Sequence, residues 1–259
     1  MLATQLLVEF KKAFTFKNLI TWMGIILLLP LVKFFVIKGT YQFFKPIEVF
    51  QETITTYIPL LFPALVIMVY LPLFWQEKRN DFITYTRTRV PFHIYLISKA
   101  LTNAYLTASV IFLLIFVPFI FSIYIEPHIG IIDYTTMDNH TVIPEFTFSQ
   151  LLPYGNIVYA LIYSLWVALN AALYTTIAFM LLLVINNSFV AFSAPFLFYH
   201  IFNFITGIFG IPQYSPLSTI FPFNIVKQPL WTVGIPFLFL VMILVIIFVF
   251  FIKKRERML

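Results

Sequence analysis

The sequence has no cysteine, so a disulfide framework, a thiolate metal site, an iron–sulfur cluster and a cysteine nucleophile are all excluded. Charge is scarce as well. Only 10% of the 259 residues are Asp, Glu, Lys or Arg, against roughly 25% in a soluble domain. Glycine is rare, with seven residues scattered along the chain. None of them forms G-x-x-x-x-G-K-[ST] or G-x-G-x-x-G, so the chain has no phosphate-cradling loop and no route of that kind to ATP hydrolysis. H-E-x-x-H and G-x-S-x-G are missing too, and no acidic pair falls within an apolar run, which argues against an intramembrane protease. No catalytic residue is assigned.

Hydrophobic residues make up 61% of the chain and the mean hydropathy is +0.97. A chain with so little charge cannot cover a water-facing surface, and the composition is that of an all-α integral membrane protein. About 20 apolar residues at 1.5 Å each cross a ~30 Å hydrocarbon layer. Six stretches qualify, at about 18–38, 57–75, 99–125, 156–185, 188–209 and 231–252. Lys33 and Lys38, at the end of the first, are expected to snorkel to the headgroups. Only Asn186-Asn187-Ser188 divides the fourth and fifth, which reads as a tight helix–helix turn. With six spans and the N-terminus inside, twelve Lys and Arg fall on the inner side and four on the outer. This predicts a multi-pass protein of the cell membrane with both termini cytoplasmic. The +6 net charge is then a membrane-edge feature and does not indicate nucleic acid.

Four segments lie outside the spans. Residues 2–16 place Leu2, Ala3, Leu6, Leu7, Phe10, Ala13 and Phe14 on one arc, with Thr4, Gln5, Glu9, Lys11 and Lys12 opposite. That is an amphipathic helix lying in the cytoplasmic interface. Residues 76–98 form a charged inner loop whose middle suits a short helix ending before Pro91. Residues 126–155 form an outer loop with Glu126, Asp133, Asp138 and Glu145 and no Lys or Arg. Its Glu126-Pro127-His128 and Asp138-Asn139-His140 are weak as cation ligands, since a metal site needs fixed geometry, and no metal is assigned. Residues 210–230 are apolar but carry Pro212, Pro216, Pro222 and Pro229. Broken backbone is not tolerated against lipid, so this segment is expected as re-entrant helical pieces dipping into the outer leaflet against protein.

Asn103, Asn170, His200 and Asn203 are the polar groups expected within the membrane, where they would face other helices. Asn170, with His200 and Asn203 at i and i+3 on the fifth span, are the candidates for a translocation path or a subunit contact. Ser164, Ala168, Ala171, Ala172 and Thr175 form a small-residue face on the fourth span, suited to close packing. No charge is expected at mid-membrane, which argues against an ion-driven carrier.

In this order of parts the chain resembles the type-2 ABC exporter permease family. It has an amphipathic N-terminal helix, six spans, a charged loop after the second span and a proline-broken outer segment before the sixth. The closest likeness runs from Phe74-Trp75-Gln76-Glu77-Lys78-Arg79-Asn80 through Pro91 to Lys99. It is similar to the family's Glu followed by basic residues, a short coupling helix, a proline, and a lysine opening the third span. Asp81-Phe82 stand where the family often has Gly-Thr, and the Pro-to-Lys spacing is slightly shorter.

The resemblance implies that residues 1–259 are one transmembrane permease domain. It would pair with an identical or sibling permease, and each copy would bind a separate ATP-binding subunit. No cofactor is expected. Glu77, Arg79, Phe82, Tyr85 and Arg87 would couple the loop to that ATPase, with Phe82 and Tyr85 as the apolar anchor and the charges as its rim. The cargo would be amphipathic or hydrophobic: a peptide, an antimicrobial or a lipid-linked molecule. A non-transporting regulatory or immunity protein is the alternative, and an ion-coupled carrier the less favoured one.

Overall fold

The structure, a computed structural model, describes residues 1–80, 82, 90–136 and 145–256, with side chains to residue 253. Its helices are α1 (Leu2–Ala13), α2 (Phe16–Met23), α3 (Leu29–Lys38), α4 (Pro46–Ile54), α5 (Tyr57–Met68) and α6 (Leu71–Arg79). They continue with α7 (Phe92–Ile120), α8 (Glu126–Ile129), α9 (Asn156–Val184), α10 (Ser188–Ile208), α11 (Pro216–Ile220) and α12 (Gly234–Glu256). Two π-helical turns, Gly24–Leu28 and Phe121–Ile125, join α2 to α3 and α7 to α8. No strand occurs among the described residues, only an isolated bridge between Phe43 and Tyr134. The chain is an all-α membrane protein. Among the described residues five helices are long and apolar enough to cross a bilayer: Phe16–Lys38, Phe92–Ile129, Asn156–Val184, Ser188–Ile208 and Leu230–Lys253. A sixth is added if α4 and α5, bent by 54° at Thr55-Thr56, count as one span.

α7 and α9 are the central pair. The small-residue face of α9 is what lets them approach: Ser164, Ala168, Ala171 and Thr175 are all buried. Between the two helices the Thr175 hydroxyl donates to Asn103 Oδ1 at 2.9 Å, a bond of the interhelical type that sequence reasoning anticipates. Aromatic rings fill the remaining volume, with Phe50 edge-on to Phe119, Tyr159 and Tyr163, and Phe62 edge-on to Tyr174 and Phe221. By contrast α12 turns most of its surface outward, as a helix bathed in lipid can.

The stretch expected as a continuous second span, 57–75, is broken. α5 alone covers only ~18 Å at 1.5 Å per residue. Pro72 explains the break: it lacks an N–H and begins a new helix. At the junction Leu73 N–H turns to Tyr70 O, leaving Val69 O without its helical donor. The Trp22 indole N–H, from α2, takes that carbonyl at 3.0 Å. Further along α5, His200 Nε2 lies 3.1 Å from Leu60 O, in the turn before Pro63.

The proline-rich segment 210–230 is built of short pieces: a 3-10 turn at Pro212–Tyr214, α11, and a loop leading to the turn Leu230–Val233. Ser215 caps α11 by accepting from Ser218 N–H. The carbonyls left over at its far end, Thr219 O and Ile220 O, are taken by the Trp166 indole N–H and the Tyr163 hydroxyl of α9, at 2.9 and 3.1 Å. At its near end Leu217 N–H donates to Asn203 Oδ1.

Three expectations need correction. Lys33 does not snorkel: it is buried and paired with Glu52 of α4 at 2.9 Å, with the Thr56 hydroxyl 3.4 Å away. Thr56 holds φ 77 and ψ −76, a γ-turn closed by Tyr57 N–H to Thr55 O and a conformation that a β-branched residue rarely adopts. Glu126 is not a solvated loop acid either. Gly130, at φ 67, ends α8 and folds the chain back, so that Ile132 N–H and the Tyr134 hydroxyl both donate to the buried Glu126 carboxylate. Desolvation, and then the bond to Glu126, push the Tyr134 hydroxyl above its ordinary pKa. Asp138 and His140 lie outside the described residues, and among those described no cluster has metal-ligand geometry. The third correction is that α7 begins at Phe92, seven residues before the expected start of the third span, which puts Lys99 two turns inside the helix.

Replacing Trp22 by Phe keeps the ring packing but strips Val69 O of its donor. A buried carbonyl left unpaired costs about 1–3 kcal/mol. Thermal unfolding in detergent should show Trp22→Phe clearly destabilised, and the same change at the exposed Trp231 within about 0.5 kcal/mol of the parent.

Candidate functional site

The inner loop expected to couple the chain to an ATPase is flanked by α6 and α7, and a cluster of charges ties those flanks together. Lys99 of α7 is fully buried. Its ammonium pairs with Glu9 of α1 and, at 2.5 Å, with Glu77 near the end of α6. Lys12 closes the other side, 3.5 Å from Glu9 and 3.7 Å from Glu77. All four carboxylate oxygens face a lysine, and neutral donors add to some of them. Gln5 Nε2 reaches Glu9 Oε1 at 2.9 Å, and the Tyr95 hydroxyl reaches Glu77 Oε2 at 3.0 Å. Rings of Tyr70 and Tyr95 stand 5.9 and 5.5 Å from the Lys99 ammonium.

Two carboxylates and two ammonium groups leave the cluster neutral, which is what allows it to be buried. An isolated ion in a low-dielectric site would cost many kcal/mol, and only pairing and complete hydrogen bonding offset that. The pairing also fixes geometry. Residues from three segments remote in sequence, α1, α6 and α7, converge on one lysine.

α1 is therefore oriented differently from the expectation. Gln5, Glu9 and Ala13, at i, i+4 and i+8, form the stripe that faces the bundle, and Glu9 is buried rather than on an open polar face. Leu7 and Phe14 point away from the protein, where the apolar side of an interfacial helix meets lipid.

The expected coupling residues divide. Glu77 points inward to Lys99 and Lys12, a different task from the outward rim position expected of it. Arg79 is exposed, its guanidinium 5.0 Å from the Trp75 ring. Phe82 is 41% exposed, with the Lys12 ammonium 4.7 Å from its ring centre, so the expected anchor residue leans on α1. Tyr85 and Arg87 lie outside the described residues. At the same end Lys78 Nζ donates to Leu182 O, near the end of α9.

The expected path or contact residues do not form one group. Asn170 is buried and its amide donates to Trp166 O of its own helix. His200 engages α5, and Asn203 holds α11.

Sequence reasoning missed Glu9 and Lys99 as partners. The signal was present: Pro91 starts a helix that carries Lys99 inward, and on the side expected to be inner only Glu9, Glu77, Asp81 and Glu256 are acids that could answer a buried cation.

No protein-family model, curated protein or solved structure matches the chain.

Lys99→Met should leave two carboxylates facing each other without their shared cation and lower stability by about 3–5 kcal/mol. The half-exposed Lys12, changed to Met, should cost about 1 kcal/mol or less. Adding Glu9→Gln to Lys99→Met should recover part of the loss, a non-additivity that a double-mutant cycle in detergent melts would measure.

Proposed function

We propose that this chain is the membrane-spanning subunit of an ATP-driven exporter, a type-2 ABC permease moving an amphipathic or hydrophobic cargo such as a peptide, an antimicrobial or a lipid-linked molecule out of the cell. The observation that carries the reading is the Glu9–Lys99–Glu77 cluster. It braces both flanks of the inner loop and the N-terminal helix into one unit, the construction needed if force enters at a docking loop and must reach the membrane. The ATPase would be a separate subunit, since no nucleotide-binding sequence is present, and a second permease copy or a sibling would complete the translocator. The chain's place is the plasma membrane.

Six crossings with both termini inside fit the way the ends of the bundle are composed. Glu9, Lys12, Glu77 and Lys99 meet at one end, together with Lys78 and Leu182. Phe43 and Tyr134, Glu145 and Lys227, and Gln150 and Gln228 meet at the other. The second crossing would be α5 and α6 joined at Val69-Tyr70. Residues 210–230 would be re-entrant from outside, because their freed backbone groups find partners on α9 and α10. The buried Lys99 and Glu9 lend some weight to an ion-coupled carrier. Their place two turns from a helix end, with both charges ion-paired, suits a brace better than a relay. Transport in vesicles without ATP would favour the carrier.

Two experiments test the proposal. In a chain with no cysteine, Thr136→Cys, Gln213→Cys and Gln228→Cys should react with an impermeant thiol reagent in intact cells, and Thr84→Cys should not. Reversal of that pattern overturns the orientation. Phe82→Ala with Tyr85→Ala should leave the protein inserted and folded, abolish export, and weaken co-purification of the ATPase by about 2 kcal/mol or more. Undiminished export and binding would remove this loop from the coupling role.

A further inference from the structure

Toward the end of the bundle opposite the ion cluster, a cavity of about 210 Å³ lies between the first span and α7. On the first span its wall follows helical spacing: Leu27, Pro30, Leu31, Phe34 and Phe35 recur at i, i+3, i+4, i+7 and i+8. The cavity sits where both helices depart from α geometry. Pro30 and Pro118, which lack an N–H, stand in its wall. Beside them run the π turns Gly24–Leu28 and Phe121–Ile125, which contribute Leu27 and Phe121 to the lining. Single π turns inside α-helices occur frequently at functional sites. Phe34 and Phe121 meet edge to face at 5.1 Å and hold the two walls together.

The lining is unsuited to water. Thr53 carries its one polar side chain, and that hydroxyl is spent on Val49 O at 2.6 Å. A buried water needs two to four polar partners, whereas apolar cavities of ~150 Å³ stay dry and take up a benzene-sized ligand. The volume is below the ~300 Å³ at which pockets begin to hold whole drug-sized molecules. A helix, ~10 Å across, cannot enter either. A single hydrocarbon chain fits. Leu27, Leu31 and Phe35 are exposed at the mouth, on the surface that a spanning helix turns to acyl chains. The same stripe, continued to i+11, reaches Lys38 in the last turn of α3. Lys38 follows Phe35 by less than one turn, a rise of ~4.5 Å, and the Cα–Cβ bonds of a helix tilt toward its N-terminus, here toward the cavity. Lys33 and Lys227, on this end of the molecule, are taken up by Glu52 and Glu145. Lys38 is exposed and has no ion pair among the described residues.

We propose that this cavity seats one acyl chain of an anionic phospholipid whose phosphate is held by Lys38. The two halves of such a lipid match the two halves of the stripe. Its chain enters a dry apolar space that no water fills, and its phosphate meets a lysine at the depth where the spanning helix ends. A neutral lipid would leave Lys38 unanswered, and a free anion would leave the cavity empty. The chain so held fills the gap between the first span and α7, so the contact between those helices depends on the leaflet at this end. The inference rests on the membrane-spanning character of the chain alone and not on the exporter reading.

The test titrates the purified, delipidated chain in detergent with phosphatidylglycerol while native mass spectrometry counts the bound lipid. One molecule should bind about tenfold more tightly than any further one. Diacylglycerol, which has the chains without the phosphate, should bind at that step about tenfold more weakly, the worth of one charge-assisted hydrogen bond. Glycerophosphoglycerol, which has the phosphate without the chains, should not bind. Lys38→Gln should bring phosphatidylglycerol down to the affinity of diacylglycerol. Lys17→Gln, an exposed lysine near the other end of the same span, should leave it unchanged. Val117→Phe grows a ring from the cavity wall and should remove the tight step, whereas Leu169→Trp, on the exposed side of α9, should not. Absence of a tight step in the parent, its survival in Val117→Phe, or an equal loss in Lys17→Gln overturns the proposal. So does a dimer that lipid fails to disperse and Val117→Phe breaks, since a second copy then fills the cavity. If Val117→Phe does not melt like the parent, Leu31→Trp at the exposed mouth decides, because an unchanged tight step there removes the site.

Discussion

Inside hydrocarbon there is no water to accept a stray backbone bond, and this one constraint accounts for the places of Trp22, Trp166, Tyr163 and Asn203. Sixteen prolines in a membrane protein interrupt helices repeatedly. Four of the groups that such interruptions free are each met by a side chain from a different helix. Trp22 meets Val69 O, Trp166 meets Thr219 O, Tyr163 meets Ile220 O, and Asn203 meets Leu217 N–H. Each of these bonds does two things at once. It removes a desolvation cost of several kcal/mol and pins a short, otherwise unstable piece of backbone to a long helix. The broken segments of this fold are thus held by single named contacts, whereas the long helices are held by packing.

Charge obeys the same rule in a stricter form. Glu126 is held by neutral donors, but the other ions drawn inward are grouped so that their signs cancel: Glu9 and Glu77 against Lys99 and Lys12 at one end, Glu52 against Lys33 at the other. Replacing such groups by apolar residues of like volume would be about as stable, so stability alone does not explain their presence. What pairing provides is specificity of arrangement. A helix like α1, mostly apolar on its outward side, could slide or rotate along a membrane surface. One carboxylate locked to a buried lysine fixes both its depth and its rotation.

Much of the architecture was legible in the sequence because hydrophobic length is a strong signal. Helices appear where apolar runs of 20 or more occur, Asn187 caps α10 at the polar tripeptide that separates it from α9, and the proline-rich stretch forms short pieces. The break at Val69-Tyr70 was not legible from length, since composition there is uninterrupted and only Pro72 marks it. The ion cluster was hidden for a different reason. Glu9, Glu77 and Lys99 are far apart in sequence, and Glu9 sits among polar neighbours, where helical periodicity assigns it to the open face. Periodicity sorts residues by polarity, whereas pairing across elements overrides it, because a carboxylate facing a buried ammonium is better placed inside than out. The polar face of α4 was missed altogether, since a short helix between spans has too few turns to stand out against a hydrophobic background.

Under the exporter reading, these two rules together say where the molecule would yield. The inner loop leaves from α6 and returns into α7, and Lys99, itself on α7, pairs with Glu77 on the other flank and with Glu9 of α1. A push on that loop therefore cannot spread its flanks without separating buried charges, which costs more than moving the braced unit as a body. Above the brace, α6 is joined to α5 only through Val69-Tyr70, where one indole hydrogen bond stands in for the helical ladder. Element ends that absorb backbone rotation are the usual hinges of rigid-body motion. The stiff part and the compliant part thus lie in sequence order, with the ion cluster at the point of entry and the break one helix further in. A displacement begun at the loop would carry α1, α6 and α7 together and be taken up at the Trp22 contact.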